Sequence, residues 1–427
     1  MTESAASTER GATRDSGADA GRSRRKNKGK IDMHEEMQSL TPPGPGSRNQ
    51  DWDPRSDAVL RDQCAAHDEM RERCPVAYSD FLGWSLFRYE DVLRVLEDHQ
   101  TFSNVVSTHQ SVPNGMDPPE HTDYRSAIDP YFAPERLQHF ETVFRRIVSR
   151  LLQSVALHQP FDFIEGFALP FASEAQCAFL GWPSELAEPI RAWTKKNHEA
   201  TLAGDRSAMA DIARQFTALV EELLEARRRA GGDAEHHVTA RLMKARVNGT
   251  PLTDGAIVSV LRNWTVGEVG SISSALGILA HHLAVHRGLQ QRLRAQPSLL
   301  PPAIGEILRI CGPLVASRRT ATRDVEICGR HIAAGERITL MWVSANRDER
   351  VFEQPHEVRL DRNSGLSLLY GKGIHVCPGA PLARLELRAV LEELFEHTDC
   401  IELDPARPPQ MAVYPQNGFA SLHVTLA

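Results

Sequence analysis

Residues 368–395 read LLYGKGIHVCPGAPLARLELRAVLEELF and set a single cysteine, Cys377, between a glycine-rich loop and a helical pattern. Beyond it, Leu387, Val390, Leu391, Leu394 and Phe395 recur at the spacing of one helix face, which predicts a helix packed into a core. Cys377 then lies just ahead of that helix, where free backbone N–H groups and the positive end of the helix dipole favour a thiolate over a thiol. Gly371, Gly373 and Gly379 permit a turn tight enough to hold the sulfur on a loop and let a flat ligand approach. A thiolate presented this way suits an iron ion. A lone cysteine more often packs as a small apolar side chain, but that accounts for neither the glycines nor the adjacent His375. The run GKGIHV begins like a dinucleotide loop yet lacks its third glycine and preceding strand.

Such a loop needs a sizeable fold behind it. The chain has 427 residues, of which 41% are hydrophobic, enough to build a large core in one or two domains. Its net charge of −7 gives no overall attraction to nucleic acid or to an anionic membrane, and neither is expected as a partner. No apolar run nears the ~20 residues of a spanning helix, and MTESAASTERGATRDSG lacks the hydrophobic stretch of a secretory signal, so a cytoplasmic location is expected. The seven cysteines are odd in number, lie far apart and form no C-x-x-C. That argues against a disulfide framework and against zinc or iron–sulfur sites built on such pairs.

Residues 1–50 contain no aromatic side chain and are rich in Ser, Gly, Ala and charge, so they are expected to form a disordered tail. Its basic run RSRRKNKGK (residues 22–30) reads as a solvated tract. Residues 51–427 show no second linker and no repeat, and read as one catalytic domain. Helical patterns dominate it: QFTALVEELLEARRRA, DGAIVSVLRNWTVGEVGSISSALGILAHHLAVH and PLARLELRAVLEELFEH. A short strand followed by a helix is predicted in GWSLFRYEDVLRVLEDHQTFS, and further strands around VEICGRHIAAGERITLMWVSAN. The expected class is mainly α with a minor β region.

The stretch YGKGIHVCPGAPLAR (residues 370–384) resembles the haem-binding loop of the cytochrome P-450 family, F-G-x-G-x-H-x-C-x-G, with Tyr370 in place of the usual Phe. The resemblance extends over nearly all of residues 51–427 and implies the cytochrome P-450 fold as a single large domain. It makes Cys377 the axial thiolate of haem b iron. EILR fits the family's E-x-x-R, so Glu306 and Arg309 are expected to pair, with Arg362 completing the cluster on the proximal side of the haem. DPPEHTDYR resembles the family's H-x-x-x-R. By the same comparison His121, Arg125, Arg319 and His375 are expected to hold the haem propionates.

The central helix departs from the family's A-G-x-[DE]-T. Matching HHLAVH to the family puts Ser271 at the alcohol position and Gly270 at the usual acid position, leaving Glu268 three residues before Ser271 on the same helical face. A glutamate in an otherwise apolar helix is costly to bury, so it either reaches water or serves the chemistry. Proton delivery by Glu268 and Ser271 is expected. A second register, with Glu268 as the standard acid and Val269 in the alcohol's place, stays open.

These matches imply a haem-thiolate monooxygenase that activates O2 and oxidises a small or medium lipophilic substrate. Electrons are expected from a separate ferredoxin and an NAD(P)H-dependent ferredoxin reductase, because the chain carries no dinucleotide fingerprint and no iron–sulfur cysteine cluster. A peroxide-driven peroxygenase and a non-catalytic haem sensor are the alternatives. By family analogy the substrate pocket draws on residues 102–115, 193–202, 264–267 and 313–317.

Overall fold

The computed structural model describes residues 49–427 apart from 108–110 and 232–236. The expected tail, with its basic run, lies outside the described residues but for its last two.

Helices carry most of the chain. In order they include α1 (Gln63–Arg73), α2 (Tyr89–Glu97), α3 (Glu120–Ile128), α4 (Pro134–Ser154), α5 (Leu169–Leu180), α6 (Ala187–Ala203), α7 (Arg206–Ala230), α8 (Asp254–Val285), α9 (Leu300–Ile310) and α10 (Ala380–His397). Their ends follow local chemistry. Side-chain oxygens of Asp62, Asp205 and Thr253 accept from backbone N–H groups in the first turns of α1, α7 and α8, satisfying donors that a helix start leaves free. Pro381 opens α10, where a missing N–H costs nothing. Gly204, at φ 68°, ends α6 in the left-handed conformation.

The long helix α8, with 32 residues, extends about 48 Å. Its middle is apolar on nearly every side, as befits a helix surrounded by protein. It packs on α5, α7, α9 and α10, and α10 packs on α4. The shared core includes Phe144, Phe171, Leu261, Leu279, Leu387, Val390, Leu391 and Leu394, so the apolar face predicted for α10 is the face it buries. Each such aliphatic side chain contributes roughly 1.5–3 kcal/mol on burial.

A five-stranded sheet takes the other side. With β1 (Val76–Ser79), β2 (Gly83–Leu86), β3 (Phe102–Ser103), β4 (Ala316–Ala321) and β5 (Arg337–Met341), the order is β1-β2-β5-β4-β3. Only the β5–β2 pairing is parallel. A separate hairpin joins Val325–Ile327 to Arg330–Ile332. The strand–helix unit predicted near Gly83 and the later strand cluster are both present.

Beneath the helices, Glu306 and Arg309 of α9 form the expected ion pair, with Arg309 Nε donating to Glu306 at 2.8 Å. Arg362 Nε donates to the same carboxylate at 2.9 Å. Burial works against the charged form of Glu306, but the bonds from Arg309 and Arg362 outweigh it and hold the carboxyl below its usual range. Arg309 also donates to the Asn346 carbonyl at 2.7 Å, and the Asn346 side chain accepts from the backbone N–H of Leu368 at 2.7 Å. The cluster is thereby tied to the start of the Cys377 loop.

Candidate active site

Cys377 sits on the loop that enters α10, and its backbone N–H donates to the Tyr370 carbonyl at 2.8 Å, closing the turn. Gly373 has φ 69°, and a Cβ there would stand 2.3 Å from the Leu96 carbonyl of α2, so only glycine lets the loop lie against that helix. Tyr370, in place of the family's Phe, lies under the Arg384 guanidinium at 4.7 Å.

The sulfur faces an internal cavity of about 350 Å³ that is also lined by Phe132, Phe179, Trp264, Glu268 and Ser271. Burial pushes the Cys377 thiol up, and the backbone N–H groups of Gly379 and Ala380 only partly offset it. The N–H groups act in the predicted direction, but desolvation is larger, and a cation at the sulfur is what would hold it deprotonated.

At one edge of the Cys377 loop, residues from three separate segments converge on His375. His121 of α3 is buried, and neither of its ring nitrogens has a partner. It packs on His375 with ring centroids 4.0 Å apart, and His375 Nε2 is unpartnered as well. Arg319 of β4 is 4% exposed and bonds to Ser317 Oγ at 3.2 Å and to the Arg318 carbonyl at 2.7 Å. Burial lowers it to about 10, opposed by the Asp117 charge. Burial, followed by the neighbouring His121, Arg319 and Arg125, holds His375 neutral, at about 3. Burial likewise lowers His121. Arg125 reaches the Ile374 carbonyl at 3.1 Å and pairs with Asp129 at 2.6 Å. Buried donors without acceptors are costly, so this edge fits an anionic ligand. A thiol facing the cavity and an anion-seeking rim together fit haem b, with its central iron and two propionates.

Across the cavity, Ser271 Oγ donates back to the Gly267 carbonyl at 2.5 Å rather than toward Glu268's carboxyl. Val269 is fully buried and is not among the described residues that line the cavity. Glu268 turns its carboxyl to Glu386 of α10, a residue that the reading of the sequence missed. Glu386 is 0% exposed and neither of its oxygens has a partner. Burial, and then Glu268's proximity, raise Glu386 well above the usual range, while burial raises Glu268. The signal was available: Glu386 stands between Leu382 and Val390 in the apolar stripe of α10, as Glu268 stands in α8.

Position 270 of α8 is crowded by side chains from two other segments. A Cβ on Gly270 would lie 2.8 Å from His198 Cε1 of α6 and 3.0 Å from Gln416 Nε2. A side chain at 270 would force His198 or Gln416 to shift, whereas the carboxyl at 268 is accommodated. Three of the four segments expected around the substrate supply Asn114, Trp264, Gly267, Pro313, Leu314, Ala316 and Ser317 to this cavity, while Trp193 and Asn197 of the fourth line an adjoining one of about 320 Å³.

A mainly helical fold that aims a loop cysteine into a cavity, beneath a long central helix and beside an anion-binding rim, defines a haem-thiolate enzyme. A family model described as Cytochrome P450 matches residues 184–421. A putative cytochrome P450, YjiB, of Bacillus subtilis is 29% identical over 359 residues, covering 79% of this chain and 89% of that protein. Linalool 8-monooxygenase of Pseudomonas putida is 28% identical over 380 residues, covering 81% and 91%. The crystal structure of CYP109E1 from Bacillus megaterium in complex with testosterone is similar with a TM-score of 0.76 and 26% identity, covering 88% of this chain and 99% of that one. The chain belongs to the cytochrome P450 family. It is a haem-thiolate monooxygenase, and its cofactor is haem b. No helix among the described residues is long and apolar enough to cross a membrane.

Proposed function

We propose that the chain hydroxylates a small or medium lipophilic molecule, taking electrons from a separate ferredoxin and its NAD(P)H-dependent reductase. The observation that carries this reading is the mainly apolar cavity shared by Cys377, Glu268 and Ser271. The names of two relatives point the same way, one being a linalool monooxygenase and the other a complex with testosterone.

In this reading Cys377 is the ligand of the haem iron, and His121, Arg125, Arg319 and His375 hold the propionates. When bound, haem supplies dioxygen activation and the oxidising chemistry. The chain's own side chains do the rest. The neutral imidazole of His121 offers an N–H, Arg125 and Arg319 offer charge, and His375 packs against His121, so the rim fixes the cofactor's orientation. Phe132, Phe179 and Trp264 pack against one another and exclude water from the substrate's place. Glu268, whose carboxyl burial raises, donates a proton into the cavity, and the Glu386 carboxyl stands behind it. Ser271 orients water at the same helix turn. Its place on the cavity, with Val269 off it, favours the register in which Ser271 is the alcohol.

The test is spectroscopic. The reduced CO complex is expected to show the red-shifted Soret band of thiolate ligation, and Cys377→Ala is expected to lose it. Persistence of the band in that variant would assign the ligand to another cysteine. Compounds that convert the ferric haem from low to high spin then identify the substrate class, and NADPH oxidation with and without added ferredoxin tests the electron source.

A further inference from the structure

The seven cysteines are all free thiols, yet two of them share one side-chain partner. Cys64 lies in α1, and Cys311 is the residue that caps the C-terminus of α9. Asn417 joins them: its Nδ2 lies 3.4 Å from Cys311 Sγ and 3.7 Å from Cys64 Sγ, and its Oδ1 lies 3.9 Å from Cys64 Sγ. The same Nδ2 donates to the Gly312 carbonyl at 2.9 Å. Arg347, 2% exposed, donates to the Cys64 carbonyl at 2.5 Å and to Asp68 at 2.7 Å, placing a fixed positive charge beside the pair.

We propose that Cys64 and Cys311 form a peroxide-sensitive thiol pair, whose reversible disulfide resets the wall of the substrate cavity.

The chemistry follows from the neighbours. A hydrogen bond from the Cys311 thiol, joined by the Arg347 charge, lowers Cys64 despite its burial, while Cys311 is raised, so Cys64 is the sulfur that ionises first. The Cys64 thiolate attacks one oxygen of hydrogen peroxide, the O–O bond breaks, and sulfenic acid and hydroxide form. The Cys311 sulfur then attacks Cys64 Sγ, forming the S–S bond. The departing hydroxide takes the Cys311 proton and leaves as water. Peroxide gains two electrons and each sulfur gives one. A dithiol reductant reverses the change by exchange.

The link to the cavity is short. Gly312, Pro313 and Leu314 follow Cys311 directly and line the main cavity. Gln416 precedes Asn417 and donates to the Gly270 carbonyl at 3.4 Å, one residue from Ser271. A disulfide needs its sulfurs about 2.05 Å apart, so closing it moves both sulfurs that the Asn417 amide touches and displaces that amide. Its bond to Gly312 and the seat of Gln416 go with it.

The test uses the holoenzyme. After treatment with hydrogen peroxide, quenching with catalase, alkylation and non-reducing trypsin digestion, peptide 62–71 (DQCAAHDEMR) is expected joined to 310–318 (ICGPLVASR). The joined mass is two hydrogens below the sum of the separate peptides. Dithiothreitol and Cys64→Ser both abolish it. In parallel, the affinity for 4-phenylimidazole, read from the haem spectrum, is expected to shift roughly fivefold or more on oxidation of the wild type. It stays put in Cys64→Ser and in Cys311→Ser, either variant sufficing if the other does not fold. Both peptides recovered fully alkylated, or Cys64 found only as sulfinic or sulfonic acid, would overturn the pair. A joined peptide with unchanged 4-phenylimidazole affinity would overturn the reset of the cavity.

Discussion

At the scale of single residues, the buried carboxyl pair Glu268–Glu386 has the clearest physical consequence. Two carboxyls facing each other away from water cannot both ionise, and burial raises Glu386 far above its usual 4.5. Below about pH 4.5 the folded and unfolded chains both hold this proton. Above it the unfolded chain releases the proton and the folded chain keeps it. Wild-type stability therefore falls by about 1.4 kcal/mol per pH unit until the folded carboxyl itself ionises. Glu386→Gln lacks this loss. Its urea midpoint is expected to exceed the wild type's by more at pH 8 than at pH 5, and a difference that does not change with pH would show that Glu386 carries no extra proton. Glu268→Gln bears on turnover instead. With a substrate in hand, product formed per NADPH is expected to drop and peroxide to rise, on the scale of ~10²- to 10⁴-fold for a lost general acid. Unchanged coupling in this variant would leave Glu268 a lining residue only.

At the scale of elements, the helices that build the site were legible because α10 carries a 3.6-residue apolar rhythm and α8 a long apolar run opened by the capping Thr253. The thiol loop was legible because its glycines and cysteine are contiguous. The contacts between elements were not. Glu386 reaches Glu268, and His198 fills the space beside Gly270, only once α10, α6 and α8 have docked, and no local pattern encodes that. The same holds for Cys64 and Cys311, which read as unrelated cysteines until the fold joins them through Asn417. The steric account of Gly270 is open to test. Gly270→Asp forces the new Cβ against the His198 ring, costing about 1–3 kcal/mol as overpacking usually does. His198→Ala in the same chain removes the obstacle and is expected to recover most of that loss. Additive destabilisation of the two changes would mean that something other than His198 keeps position 270 small.

At the scale of the whole molecule, the class was readable from long helical runs and one late cluster of strands. The gathering of His121, Arg319 and His375 on one rim became legible only through the family resemblance, because three distant segments supply it. What holds these segments in place runs through the proximal cluster. Glu306 is the one carboxylate that accepts from both Arg309 and Arg362, and Arg309 continues through Asn346 to the backbone of Leu368, nine residues before the cysteine. Removing one partner of a buried ion cluster costs about 3–5 kcal/mol because it leaves the remaining charge unpaired. Glu306→Ala strands two guanidiniums at once. The damage is expected to travel along the Arg309–Asn346–Leu368 chain into the haem loop, since nothing else in that chain of bonds anchors the Leu368 N–H. Haem content per protein is therefore expected to fall, and the remaining CO complex is expected to lose its thiolate band. Glu306→Gln, which keeps two acceptor lone pairs but no charge, should fall between the variant and the wild type. Haem-to-protein ratio, CO difference spectrum and thermal midpoint measured together decide the matter. Full haem content with a lowered midpoint would confine the cluster to stability, and wild-type values in all three would remove it from any account of how the loop is held.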